Sequence, residues 1–291
     1  MIASYLIHII IIASIFAILS MSLNIAIGYT GLINLSHIAF YGIGAYTSAI
    51  LSVGYGYSFW VGLVFGGVCA SVCAWFLTVI TNKLKGDYFA LGTLGFSFVM
   101  YALFLNMTGI TRGPLGIPGI PKPEFFGIVI ARPGSYLLLS VSLLLLVWFF
   151  LWRLGKSRYG VLLQAVRDDS VGVQSAGKNI FRLKAEAMMI SAFFASVAGS
   201  LYAHYISFID PTTFYLHDII IVLTMVIVGG LVSLRGSVLA AFIIILLPEL
   251  LRFVSLPPDM IGPMRQIMYA LLLILILMYR PRGLFGKVDL E

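Results

Sequence analysis

The side chains able to do acid–base, nucleophilic or metal chemistry are few in this chain and scattered along it. The four histidines, His8, His37, His204 and His217, have no partner at ligand spacing, and neither H-E-x-x-H nor C-x-x-C occurs. Cys69 and Cys73 stand four apart within an apolar run, so they share one helix face. With no His or acid beside them, they read as small residues in a packed helix rather than a metal or redox pair. The triplet "GKS" at 155–157 looks like the end of a phosphate-binding loop, but that loop needs a glycine at 150, where Phe150 stands. It also follows an apolar run and not a strand. The triplet "NMT" at 106–108 fits a glycosylation acceptor only formally. No catalytic residue and no metal ligand is therefore expected. If ATP drives anything here, a separate chain hydrolyses it.

The elements that carry these residues are set by composition. Of 291 residues, 61% are hydrophobic and 10% are charged, against about 25% charged in an ordinary soluble domain. Apolar runs of about 20 residues mark bilayer-spanning helices, because lipid forces the backbone to satisfy its own polar groups. The expected fold is an all-α integral membrane protein. It would be a polytopic bundle of about 8–10 transmembrane helices in one domain, with a broken or re-entrant helix near residues 28–46. Candidate spans are 3–27, 38–53, 58–81, 88–107, 135–152, 185–205, 219–234, 237–254 and 264–279. The first lacks the basic start of a signal peptide and is long for its core, so it reads as a retained helix.

The break shows in "GYTGLINLSHIAFYGIGAY", residues 28–46, where four glycines surround Asn34, Ser36 and His37. Ser36 is placed to N-cap the restarting helix. Irregular backbone at membrane depth persists only inside protein or along a watery cavity. A second interruption, "GGLVSLRG" at 229–236, should turn tightly between two spans, and its "GLVSL" loosely matches "GLINL" at 31–35. Residues 108–134 carry prolines at 114, 118, 121 and 123, so a structured loop without regular helix is expected there.

The longest stretch compatible with water is 157–184, "SRYGVLLQAVRDDSVGVQSAGKNIFRLK". A short helix suits 159–167. Asp169 or Ser170 would cap a second one ending near Ala176, with Gly177 at the left-handed position beyond it. Helices this short are marginal in water, so the stretch is either docked, with a cytoplasmic partner's groove as the natural candidate, or a solvated loop carrying charge. With 157–184 placed in the cytoplasm, thirteen of the 18 basic residues fall inside and five outside. The positive-inside rule favours that orientation, with the C-terminus inside and the N-terminus outside. The net charge of +7 follows from this placement and does not indicate nucleic acid.

Several blocks, in order, resemble the permeases of the branched-chain amino-acid ABC importers: "LNIAIGYTGLINLSHIAFYGIGAYTSAIL" (23–51), "GDYFALGTLGFSFVMYALFLNMTGITRGPLGIPGIP" (86–121), the stretch 158–214, "MVIVGGLVSLRGSVLAAFIIILLPELLR" (225–252) and "RPRGLFG" (280–286). The proline-glycine loop within the second block favours the M-type of the two sister permeases. The resemblance implies a multi-pass subunit of a bacterial or archaeal cytoplasmic membrane and no enzyme. Its implied partners are a sister permease, two cytoplasmic ATPase subunits that hold ATP and Mg, and an external solute-binding protein. Residues 153–184 would be the cytoplasmic coupling segment, with Arg167, Asp168, Asp169, Ser170, Ala176 and Gly177 as coupling residues, and 108–134 would face the binding protein. For the translocation path the candidates are Asn24, Asn34, Ser36, His37 and Tyr41, since polar groups in lipid need partners or water. Helix-to-helix hydrogen bonding is the competing role of each. Glu249 and Arg252, three apart, read as a structural pair. The family resemblance also admits urea or short-amide cargo. A stand-alone secondary transporter or channel is the rival class, but a carrier needs an ionisable or ion-binding group inside a span, and no acid sits in the middle of one.

Overall fold

Apolar sequence of this length folds as helix because lipid offers its backbone no hydrogen-bond partner. The computed structural model describes residues 2–125, 127–248, 258–280 and 282–286. Six of its helical segments are long and apolar enough to cross a membrane. They are α1 (Ile2–Asn24) with a π-helical turn at Ile25–Tyr29, α2 (His37–Tyr55), α3 (Phe59–Thr81), α4 (Asp87–Asn106), α6 (Pro133–Lys156) and α9 (Ile180–Ile206). Between them lie the one-turn α5 (Thr108–Thr111) and two hydrophilic helices, α7 (Arg158–Asp168) and α8 (Ser170–Ser175). The chain continues through α10 (Leu216–Gly229), α11 (Leu234–Leu246) and α12 (Pro258–Tyr279).

Helices α1, α2, α3 and α9 form the centre, and small residues let them approach. A Cβ on Gly199 of α9 would strike the Tyr41 carbonyl of α2, and one on Gly44 would strike the backbone of Ser196. Cys69 and Cys73 are free, partly buried on α3 and packed against this core, as expected of small packing residues.

The span expected at 219–234 ends earlier. Gly230 and Val232 have φ of 98° and 62°, so α10 stops at Gly229 and α11 begins at Leu234. At 1.5 Å per residue these helices are about 21 and 20 Å long, shorter than the roughly 30 Å hydrocarbon core. The expected span 264–279 corresponds to α12, and the start of the one expected at 237–254 to α11, its residues 249–254 lying outside the described residues. Glu249 and Arg252 lie outside the described residues.

Contacts sort the connections onto two ends. At one, the α1 break, the 230–233 turn, α7 and residues 282–286 converge: Leu284 N–H donates to the Val228 carbonyl and Phe285 N–H to that of Gly229. At the other, residues 107–132 hold most of the loop expected at 108–134 without regular helix. The one-turn α5 departs from that expectation, and a short strand Ile117–Pro118 (β1) and a hairpin Glu124–Phe125 (β2) with Ile128–Val129 (β3) follow before α6. β1 pairs antiparallel with Phe208–Ile209 (β4), which follows α9. Trp60 Nε1 donates to the Glu124 carbonyl (2.9 Å), tying the hairpin to α3.

Candidate functional site

The break expected near 28–46 begins as a π-helical turn at Ile25–Tyr29, a distortion that recurs at functional sites. Gly31 then takes φ of 69°, and residues 31–36 run without regular structure until α2 starts at His37. His37 Nε2 lies 3.1 Å from the Leu19 carbonyl and 2.9 Å from Ser22 Oγ. Leu19 is ten residues before Tyr29, about 15 Å along the helix. The irregular segment therefore runs alongside α1 for about that distance.

Protein groups take up several of its backbone donors and acceptors. Leu35 N–H donates to Thr93 Oγ1 (3.1 Å), and Ser97 Oγ donates to the Leu35 carbonyl (2.9 Å). Ser36 occupies the position before α2, but its side chain makes no cap bond. Instead Ser36 N–H and Oγ both donate to Asn34 Oδ1, at 3.0 and 2.5 Å. In place of the capping role expected for Ser36 there is a local turn closed on Asn34 Oδ1.

The two interruptions of the hydrophobic pattern touch. Asn24 Oδ1 accepts from Val232 N–H (3.0 Å), and its Nδ2 donates to the Gly230 carbonyl (3.2 Å) and Ser237 Oγ (2.7 Å). A buried amide thereby holds the 230–233 turn against the distorted end of α1. Its hydrogen-bonding capacity is largely taken up by this latch.

Tyr41 differs. It is buried among Tyr202 and Phe214, with ring centroids 5.8 and 5.3 Å away, and its hydroxyl has no partner. The same holds for the Tyr46 hydroxyl, whose ring stacks on Phe104 at 4.4 Å, and for Asn34 Nδ2. Asp218, in the first turn of α10, bears electrostatically on Tyr41 and Tyr202. Sequence reading passed over Asp218 because it stands two residues inside a helix end, not mid-span. The only signal was its place beside a run of isoleucines.

The hydrophilic segment follows the expected capping pattern closely. Asp169 caps α8, accepting from Gly172 N–H at 2.9 Å, while Ser170 is its first residue. Past the cap residue Ala176, Gly177 has φ of 76°. Gly177 N–H donates to the Gln174 carbonyl and Lys178 N–H to that of Val173, the paired closure of a Schellman motif. The segment is docked, on this chain itself. Leu163, Val166 and Val173 are buried, whereas Val161, Val171 and Asp168 face outward. Arg167 reaches from α7 to the break: Nη1 donates to the Gly28 carbonyl at 2.6 Å, and Nε pairs with Asp168 at 2.8 Å. Tyr159, half-buried beside Glu186, has its hydroxyl pKa raised by burial first and by the carboxylate second.

Among the described residues no group of three His, Cys, Asp or Glu could hold a metal. His37, His204 and His8 each bond to neighbouring protein groups, and His37 is the one within the break. The geometry offers a broken helix inside a multi-pass bundle, clamped by a polar surface segment, which is the architecture of a membrane permease. Residues 5–277 match the family described as "Branched-chain amino acid transport system / permease component", and the chain belongs to that family.

It is 35% identical to the high-affinity branched-chain amino acid transport system permease protein LivM of Escherichia coli (strain K12), over 93% of this chain and 67% of that one. The probable branched-chain amino acid transport permease protein LivM of Methanocaldococcus jannaschii is 26% identical over 70% of this chain and 61% of its own. LivH of E. coli is 24% identical over 92% of both. The M-type relative is the more similar of the two E. coli permeases, as the proline-glycine loop predicts. No solved structure matches the chain.

Proposed function

We propose that this chain is one membrane-spanning half of an ATP-driven importer of branched-chain amino acids. It pairs with a sister permease, receives cargo from an external solute-binding protein at the 107–132 end, and is driven by two cytoplasmic ATPase subunits that carry ATP and Mg. On this reading the C-terminus is cytoplasmic and the membrane is the bacterial or archaeal inner membrane. The observation that supports it most directly is the Arg167 bond to the Gly28 carbonyl. It joins a partly exposed, well-capped helix pair to the one place where the membrane helix is already broken.

The mechanism follows from that link. An ATPase groove takes the outward face of α7 and α8, with Val161 and Val171 as apolar contacts, Asp168 as charge and Asp169 as cap. When the ATPases close, α7 moves and Arg167 carries the motion to residues 28–31. Gly31 and the π-turn absorb it, since neither is locked in a regular ladder. The α1 break is held by Asn24 to the α10–α11 turn, so both interruptions shift together and access changes sides. Asn24, Ser36 and His37 shape the break, while Tyr41 and Asn34 keep unpartnered polar groups for the amino acid or its water. Asp218 lies near enough to Tyr41 to attract the substrate's ammonium group.

The test is co-purification with the presumed ATPases and sister permease, then uptake of labelled leucine or urea into vesicles with and without ATP. Leucine should accumulate only with ATP and all subunits, and urea should not. Accumulation by this chain alone on an ion gradient, or preferential uptake of urea, would refute the reading.

A further inference from the structure

Two adjoining cavities lie on the face between α6 and α11, the second reaching Tyr29 at the edge of the break. The first, of about 350 Å³, is an apolar groove lined by Leu144, Leu145, Trp148, Val238 and Leu239, with Arg235 at its end. The second, of about 290 Å³, is polar, shares Trp148 and Arg235 with the first, and adds Trp152, Lys156, Gln164 and Ser233. The polar one sits at the end of the molecule where α7 and the 230–233 turn converge.

The cations here are unneutralised. Among the described residues the ion pairs are Arg167–Asp168 and Arg182–Glu186, so neither Arg235 nor Lys156 has an acid partner. Both are exposed. Lys156 Nζ lies 4.5 Å from the Trp152 ring centroid, and Trp148 and Trp152 stack at 6.1 Å. Indoles one turn apart beside basic residues at a helix end mark the level of lipid headgroups. An apolar slot that opens into a doubly basic, tryptophan-walled mouth matches an amphiphile with one negative head and a long tail. Water-soluble anions would leave the slot empty, and a neutral lipid would leave both cations unanswered.

We propose that the α6–α11 groove binds one anionic phospholipid, its phosphate between Arg235 and Lys156 and an acyl chain along Leu145 and Leu239. Basic pockets between helices on the cytoplasmic side recognise such headgroups. The position adds a consequence. Val232 and Tyr29 also line the polar cavity, so the headgroup rests against the turn latched by Asn24, and its presence braces the junction of the two interruptions.

The test uses the full chain with Trp60→Phe and Trp75→Phe, which leaves Trp148 and Trp152 as the reporters among its four tryptophans. The protein is placed in phosphatidylcholine vesicles containing a small, equal fraction of either phosphatidylglycerol or phosphatidylcholine with brominated acyl chains. Each cation contributes about fivefold at an anionic surface, so quenching should show the anionic lipid bound about tenfold or more over the neutral one. Arg235→Gln with Lys156→Gln should cut that preference to about twofold, while Arg235→Lys with Lys156→Arg should retain it. Lys83→Gln with Lys85→Gln, elsewhere in the sequence, should also retain it. Equal quenching by both lipids in the parent chain, or an unchanged preference in the double Gln variant, overturns the assignment. So does loss of quenching when the sister permease is added, which would make the groove a protein interface.

Discussion

Asn24 bonds to groups more than 200 positions away in sequence, and it does so through both ends of its amide. Its removal leaves the Val232 N–H buried without an acceptor, a loss of about 1–3 kcal/mol, before any rearrangement of the turn. Asn24→Ala should therefore lower the thermal unfolding temperature in detergent by several degrees. Asn24→Asp should be nearly as harmful, since it keeps the acceptor but loses both donors and adds a buried charge. Tyr41→Phe makes the opposite case. The hydroxyl bonds to nothing in the protein, so stability should hold or rise slightly while leucine uptake falls by about tenfold, the scale of one substrate hydrogen bond. A thermal shift as large as that of Asn24→Ala, with uptake unchanged, would return Tyr41 to a packing role. Sequence could place both residues among polar groups in lipid, but not tell them apart. The difference lies in long-range partners, which periodicity does not encode.

At the scale of elements, the polar segment was the part most legible in sequence, because caps are local. Asp169, Ala176 and Gly177 stand where turn chemistry puts them, and three backbone or side-chain bonds close the short helix. What sequence could not reveal was the surface it docks on, since the Arg167 bond to Gly28 spans 139 positions. Asp169→Ala should cost about 1 kcal/mol of local stability as a lost N-cap, and Gly177→Ala a similar amount for its left-handed backbone. Both should slow transport and leave overall folding intact. Asp168→Asn should change stability little, because its pair is 63% exposed at the carboxylate and exposed pairs contribute about 0–1 kcal/mol. Arg167→Ala should uncouple: ATP hydrolysis by the assembled complex persists while leucine uptake is lost. On the opposite end, Asp210 caps a 3-10 turn at Pro211–Phe214. Burial would raise its carboxyl pKa, but bonds from Thr213 and Thr212 hold it below the ordinary value of 3.8. Its contribution is therefore present above that value and fades as pH falls through the lower folded one. Followed by limited proteolysis across pH, wild type should lose order at this end on acidification below about pH 4, and Asp210→Asn should show a flatter acid limb.

For the whole molecule, the decisive feature is that two regions predicted separately from glycine-rich sequence turn out to be one junction. The distorted end of α1 and the 230–233 turn meet through Asn24, Arg167 seizes the same junction at Gly28, and residues 284–285 close it by bonding to Val228 and Gly229. On the proposed mechanism the distorted end of α1, the α10–α11 turn and the polar segment shift, whereas α2, α3 and α9 are packed backbone to backbone. A bulky residue in that rigid part should therefore act differently from one in the junction. Gly199→Val drives two methyls into the Tyr41 carbonyl and should prevent stable folding altogether, read as loss of a monodisperse peak in detergent. Gly31→Ala meets only the aliphatic part of Arg167 and a positive φ. It should leave a folded, assembled complex, with a strain of about 1 kcal/mol borne at the hinge. Its signature is transport slowed at unchanged substrate affinity, since the step impaired is the change of access and not the docking of cargo. If Gly31→Ala instead weakened leucine binding while turnover held, the junction would be part of the substrate pocket and the moving part would have to be sought elsewhere in the bundle.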